Sequence, residues 1–222
     1  MNKYKIVEKF ISINGEARAA GELSCFIRFQ GCNLNCSYCD TKWANEKEAP
    51  YELMSAEEIY GYIKKCGVKN VTLTGGEPLI QENIKELISL LAGDHSLRIE
   101  IETNGSVDLF PFLDIEGNVT FTMDYKLPGS HMEKYMALGN MRLLRACDSV
   151  KFVVSDLNDL NVSKRIIKEY DLDNRVAVYL SSCFMRIQPK DIVDYMIDNN
   201  MNKVKLQLQL HKYIWEPDRK GV

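Results

Sequence analysis

Short β-rich runs alternating with helical patterns predict an α/β fold, an incomplete and open (β/α) barrel of parallel strands with crossover helices. The β-rich runs fall at residues 4–10, 23–29, 70–74, 98–102, 119–123, 149–154, 175–181 and 203–209. Helical patterns lie between them at about 55–66, 81–92, 132–145, 157–170 and 189–200. Several runs, 150–154 among them, are read as continuously apolar, as expected of strands covered on both faces. A closed barrel of eight strands and eight helices needs about 250 residues. The chain has 222, and a long loop at about 31–52 takes some of them, so the barrel is expected to stay open.

Composition bounds the rest. Apolar residues make up 45% and charged residues 27%, which suits one globular domain over residues 1–222. No stretch approaches the ~20 apolar residues of a membrane span, and residues 1–10 hold no signal-peptide run. A cytoplasmic location is expected, with no membrane partner. A net charge of −3 argues against a broad nucleic-acid surface, while leaving room for a small anionic substrate held by a few cations.

Local signals place the elements in order. Residues 31–52 follow directly on the 23–29 strand. Ser55 and Glu58 form a capping-box pattern, each able to satisfy an orphan N–H at a helix start. Gly75-Gly76-Glu77-Pro78 closes the 70–74 strand, and Glu102-Thr103-Asn104-Gly105 closes the next. Asp124-Tyr125-Lys126 follows the fourth barrel strand and Ser181-Ser182 a later one. Pro189 suits the first turn of its helix, where its missing N–H has no partner to lose. In a parallel sheet ligands gather at the carboxyl ends of strands, where all these segments fall.

Seven cysteines occur, at 25, 32, 36, 39, 66, 147 and 183. An odd count in a chain of intracellular character is a poor disulfide framework. Cys25, Cys66, Cys147 and Cys183 are scattered and read as buried small hydrophobes. Cys32, Cys36 and Cys39 form C-x3-C-x2-C. Thiolates suit zinc or iron–sulfur. A structural zinc site takes four ligands, and no fourth Cys or His is near; the histidines are His95, His131 and His211. Three thiolates on a 4Fe–4S cluster leave one iron open to another ligand, unlike a cluster that only carries electrons.

That spacing, with Tyr38 before the last cysteine, resembles the radical S-adenosylmethionine (SAM) superfamily. The resemblance implies that the open iron chelates the amino and carboxylate groups of SAM, which one electron then cleaves to methionine and a 5′-deoxyadenosyl radical. It implies SAM contacts from Tyr38, Cys39, Asp40, Gly76, Asp124, Tyr125, Lys126, Ser181 and Ser182. Within the superfamily, four groups of residues resemble 7-carboxy-7-deazaguanine synthases: Ser12-Ile13-Asn14-Gly15-Glu16 with Gly21-Glu22; Phe26 to Cys32; Cys39-Asp40-Thr41-Lys42; and Asp124-Tyr125-Lys126 with Pro128 and Ser130. The tail Gln207 to Tyr213 is similar too.

This family contracts 6-carboxy-5,6,7,8-tetrahydropterin to 7-carboxy-7-deazaguanine with loss of ammonia, in deazapurine (queuosine) biosynthesis. The resemblance implies hydrogen abstraction from substrate C6 and its later return, so that SAM is regenerated. It also implies a 4Fe–4S cluster on Cys32, Cys36 and Cys39, with magnesium on Thr41. Substrate contacts are implied from Ile13, Asn14, Gly15, Glu16, Arg28, Thr74, His211 and the Val222 carboxylate, the tail at about 211–222 closing over the site. Most members carry Gln where this chain has Asn14. Arg28 suits a bidentate pair with the pterin carboxylate. A homodimer and a flavodoxin or ferredoxin reductant are implied as partners. The alternatives weighed are a glycyl-radical-enzyme activase, which needs a docking surface for a large protein, and a non-catalytic iron–sulfur or zinc module, which needs a fourth ligand.

Overall fold

Nine strands form one sheet in the computed structural model, which describes residues 2–222. They are β1 (Lys3–Ile13), β2 (Leu23–Phe29), β3 (Glu52–Ser55), β4 (Asn70–Gly75), β5 (Arg98–Thr103), β6 (Val119–Tyr125), β7 (Ser149–Val154), β8 (Ala177–Ser182) and β9 (Val204–Gln207). The helices are α1 (Lys42–Asn45), α2 (Ala56–Cys66), α3 (Ile84–Ala92), α4 (Asn140–Leu143), α5 (Leu157–Glu169), α6 (Leu172–Arg175), α7 (Pro189–Asp198) and α8 (His211–Ile214). The sheet order is β3-β1-β2-β4-β5-β6-β7-β8-β9. From β2 to β9 neighbouring strands run parallel, and the two ends of the sheet do not pair, so the barrel is open as expected.

Three expectations change. The sheet is mixed, because β1 runs antiparallel to both β2 and the unanticipated β3. The hairpin linking β1 to β2 therefore turns at the amino ends of the parallel strands, opposite the other site loops. Secondly, the helix expected over 132–145 is broken into a 3-10 turn (Glu133–Tyr135) and α4. Asn140, almost fully buried, donates to the Val107 carbonyl at 2.7 Å and accepts from the Leu109 amide at 3.0 Å, so this segment serves the β5–β6 loop. Thirdly, Cys147 is exposed and Cys66 half-buried, whereas Cys25 and Cys183 are buried.

The strands also alternate more than their apolar content suggested. Val71, Leu73, Ile99, Ile101, Phe121, Val150 and Phe152 are buried in the outer core, against helix residues such as Leu87, Ile88 and Leu91. Inward lie Thr72, Thr74, Glu100, Glu102, Thr122, Asp124 and Lys151, a polar barrel interior. Period-2 alternation is the signature of strands with two different faces, and Lys151 is the residue that interrupts the 150–154 run.

At α2 the sequence signal and the structure coincide. The Ser55 hydroxyl accepts from the Glu58 amide at 3.2 Å and the Glu58 carboxylate takes the Ser55 amide at 2.7 Å. Gly67 ends the helix in the left-handed region at φ 69°, and Ile59 and Ile63 bury its inner face. Ser55→Ala is expected to destabilise the fold by about 1 kcal/mol, the usual cost of a lost N-cap, read as a lower urea midpoint with an unchanged slope.

Candidate active site

The site is built from the carboxyl ends of the parallel strands downward. β2 ends at Phe29, Gly31 turns the chain at φ 89°, and the cysteine loop begins. The turn after β4 docks against that start. The Gly76 amide donates to the Phe29 carbonyl at 3.2 Å and the Glu77 amide to the Gly31 carbonyl at 2.9 Å. A Cβ on Gly76 would lie 2.0 Å from the Gly31 carbonyl oxygen and 2.2 Å from Asn45 Oδ1. One on Gly75 would lie 2.5 Å from the Phe29 carbonyl oxygen. These glycines permit loop-on-loop packing, in addition to any approach by a ligand.

Glu77, a residue the sequence reading did not single out, is fully buried and ties two turns together. Its carboxylate accepts from the Leu79 amide at 3.0 Å, the Thr103 hydroxyl at 2.9 Å and the Asn104 amide at 2.6 Å. Burial nevertheless pushes its carboxyl up to about 7, against those hydrogen bonds. Asn104 in turn donates to Asn33 Oδ1 at 3.0 Å and reaches Cys32 Sγ at 3.6 Å. From the other side Ser37 bonds the carbonyls of Gly129 and Ser130 at 2.7 and 3.0 Å. Buried Asp159 holds Gly129 and Ser155 in place beneath them. Tyr38 packs under Arg186 and donates to the Val153 carbonyl at 3.2 Å.

The three loop cysteines face one cavity of about 1070 Å³, larger than a pocket for one drug-sized molecule needs. Burial raises the Cys32 thiol and pushes Cys36 up to about 11, in each case opposed by a neighbouring donor or cation (Lys126 for Cys36) and reinforced by the other cysteines. Burial thus favours the protonated form of the Cys32 and Cys36 thiols, and metal coordination is what would ionise them. Among the described residues no three Cys, His, Asp or Glu converge as ligands of a single ion. The donor set is chemically soft, and its three members are spread along a loop, which fits a multi-iron cluster better than one zinc. Thr41 lines the same cavity, its hydroxyl 3.6 Å from Cys39 Sγ and unused as a cap of α1.

Below the cysteines the interior is charged. Asp124 Oδ2 pairs with Lys126 at 2.9 Å and Lys151 at 3.5 Å, while its Oδ1 is buried without a partner among the described residues. Burial alone would raise the Asp124 carboxyl, but the two lysines outweigh it and hold it below the ordinary range. Glu16 rises from the hairpin turn to meet Lys151 at 2.8 Å and Ser181 at 3.3 Å. Arg28 Nε pairs with Glu8 at 3.0 Å, and its terminal nitrogens have no partner among the described residues. Thr74 donates to Glu102 at 2.8 Å.

The 14–21 turn forms the floor. Gln207 of β9 grips both backbone groups of Ala17, accepting at 2.6 Å and donating at 3.2 Å. His211 packs on Gly15, with Nδ1 3.1 Å from where a Cβ would stand, and burial lowers its imidazole pKa so that it is neutral at pH 7. The tail returns over the mouth: Lys220 stacks on Trp43 at 3.9 Å, Lys212 pairs with Asp40 at 3.8 Å, and Val222 lines the cavity.

The cavity thus brings together most of the singled-out residues: Ile13, Gly15, Glu16, Arg28, the three cysteines, Tyr38, Asp40, Thr41, Thr74, Gly76, Asp124, Lys126, His211 and Val222. Four side chains lie elsewhere. Tyr125 is on the opposite face of β6, packed on Phe152 at 5.6 Å between ring centroids. Asn14 is buried below the floor, bonded to Thr72 at 2.9 Å and Glu100 at 3.2 Å. Ser181 reaches Glu16, as above, and Ser182 lies outside the lining. Lys151 was missed, and Gln207 and Glu102, quoted only within longer motifs, were given no role of their own; the inward period of β5 and β7 was the signal for Glu102 and Lys151.

Glu100 sets a pH dependence. Burial and the neighbouring Glu102 push its carboxyl up to about 7, against a hydrogen bond from Thr122 at 2.6 Å. A carboxyl raised on folding favours the folded state below its unfolded pKa near 4.5, and that advantage disappears as pH rises through 7. Thermal unfolding between pH 4.5 and 7 is therefore expected to show Glu100→Gln gaining stability relative to the parent chain as pH rises.

Three comparisons with known proteins bear on this site. Residues 26–175 match the family model of the radical SAM superfamily. A 7-carboxy-7-deazaguanine synthase from Clostridium acetobutylicum is 58% identical over 99% of both chains. One from Koribacter versatilis is 30% identical over 98% of this chain and 100% of its own. The crystal structure of QueE from Escherichia coli superimposes with a TM-score of 0.71, covering 93% of each chain at 21% identity, a likeness of fold.

Proposed function

The chain belongs to the radical SAM superfamily and, within it, to the 7-carboxy-7-deazaguanine synthases, and from that premise we propose how its residues carry out the reaction. The activity is the lyase step of deazapurine biosynthesis, contraction of 6-carboxy-5,6,7,8-tetrahydropterin to 7-carboxy-7-deazaguanine with release of ammonia. One observation supports the residue-level reading above all. A single cavity holds the cysteine loop at its upper end and Glu16 and Arg28 deeper in, with volume for two ligands side by side.

The thiolates of Cys32, Cys36 and Cys39 would hold a 4Fe–4S cluster, and the Thr41 hydroxyl would give magnesium an oxygen ligand. Such a cluster, with SAM, would supply the radical chemistry for the ring contraction. The turn at Gly76 takes the SAM amino group. The unpartnered Asp124 Oδ1 takes a donor from the same molecule, with Tyr38, Cys39, Asp40 and Lys126 around it.

On the substrate side, the terminal nitrogens of Arg28 pair with the pterin carboxylate, since Glu8 already holds Nε and sets the guanidinium plane. The Glu16 carboxylate accepts from the N–H edge of the pterin beside Ile13 and Gly15. Thr74 and neutral His211 offer further hydrogen bonds, and the Val222 carboxylate closes the mouth. Asn14 acts by holding the floor turn from below. The C-terminal tail excludes water from the cavity while the substrate is held. A homodimer fed by flavodoxin or ferredoxin in the cytoplasm completes the proposal. No helix among the described residues is long and apolar enough to cross a membrane.

Anaerobic reconstitution with iron and sulfide, then SAM, reductant, magnesium and carboxytetrahydropterin, is expected to give deazaguanine absorbance. Cys36→Ala is expected to abolish it; turnover retained in that variant removes the cysteine loop from the reaction. Arg28→Ala is expected to lower kcat/KM by the equivalent of about 2–5 kcal/mol, the cost of stripping one member from a buried charge pair. An unchanged kcat/KM removes the guanidinium from the substrate site.

A further inference from the structure

One charged group inside the barrel touches both halves of the site. Lys151 lies in the middle of β7, the register partner of Asp124 on β6. Its ammonium is 2.8 Å from Glu16 Oε2 and 3.5 Å from Asp124 Oδ2, and its side chain is only 12% exposed. Glu16 belongs to the floor turn and Asp124 to the strand below the cysteines, so two carboxylates from different elements share one cation. Lys126 is not equivalent, because it pairs with Asp124 alone and stands beside Cys36.

The remaining oxygens of these carboxylates show what the clamp does. Glu16 Oε1 accepts from Ser181 at 3.3 Å, so both its oxygens are fixed from β7 and β8. Asp124 Oδ2 is held by both lysines, which fixes the carboxylate plane and leaves Oδ1 buried and unpartnered. A buried acceptor without a donor is unfavourable unless a ligand satisfies it. Glu100 and Glu102 crowd the same interior, so Glu16 and Asp124 would repel one another without the ammonium between them.

We propose that Lys151 is a positioning residue that sets Glu16 for the pterin and Asp124 for SAM at once, so that each ligand's contacts depend on the same ammonium. The inference rests on the assignment of Glu16 and Asp124 to those two ligands. Buried ion pairs contribute little net stability compared with apolar packing, whereas removing one partner is costly. A stability loss in a Lys151 variant is therefore expected whatever its role, and the positioning role is read in ligand affinity of variants that stay folded.

The test is equilibrium dialysis of the cluster-loaded enzyme against SAM and, separately, against 6-carboxypterin, an unreactive analogue of the substrate. Lys151→Met is expected to weaken both affinities at least ~tenfold. Lys151→Arg, which keeps the charge, is expected to stay within about threefold for both ligands. Lys126→Met is expected to weaken SAM alone. Iron content and unfolding temperature are followed in parallel; should Met at 151 prevent cluster loading, Lys151→Gln carries the same expectation. A loss confined to one ligand, no loss at all, or equal losses with Met and Arg overturns the proposal, the last assigning the effect to packing. If the parent enzyme itself fails to bind 6-carboxypterin, the ligand assignment fails first, and the inference with it.

Discussion

Every feature of the cavity answers to one constraint, the concentration of carboxylates inside a narrow barrel. Glu16, Glu100, Glu102 and Asp124 all point inward, and burying several negative charges together is tolerated only where cations or protons offset them. The protein uses both remedies. Lys126 and Lys151 keep Asp124 ionised, while Glu100 and Glu102, further from the lysines, are pushed upward and hold their protons more readily. An interior so arranged favours ligands rich in N–H donors and positive charge. The proposed ligands, a sulfonium and a pterin with its amine-laden edge, are of that kind, and Arg28 is the cavity cation the proposal assigns to the pterin carboxylate.

The cysteine loop depends on a different kind of order. It has almost no regular structure of its own, yet its ends are fixed by neighbours that leave no room for alternatives. Gly76 lies against the Gly31 carbonyl, Asn104 reaches across to Asn33, and Ser37 is bonded to the 129–130 turn. Asp159 and Glu77, both fully buried, anchor the two turns that do this. Side-chain carboxylates that bond backbone amides replace the helix and sheet ladders the loop lacks. The geometry of the thiols is thus set in large part by Glu77 and Asp159, which do not line the cavity.

Much of this was legible in the sequence, for identifiable reasons. Strand and helix periods gave the parallel barrel, Ser55 and Glu58 the start of α2, and the cysteine spacing the upper end of the site. The rest failed where distant contacts decide. Nothing local in 52–55 marks an edge strand, and the helical pattern at 132–145 gave way because buried Asn140 serves the β5–β6 loop. Tyr125 sits in a motif with two cavity residues, but strand alternation turns it outward. Lys151 was passed over because an apolar run was read as covered on both faces. Its neighbour Asp124 is 27 residues away in sequence, and the two become register partners only in the sheet.

The floor turn also has a consequence for how the protein matures. Residues 14–17 leave the ribosome early, but Ala17 is held by Gln207 across 190 positions, and Glu16 by Ser181 across 165. Such distant closures carry a loop-entropy cost that only a nearly complete chain can offset. The floor of the pocket is therefore the last part to acquire its shape. A nascent chain halted before β9 would have the cysteines and the glycine turn already paired, above a barrel still open at its base.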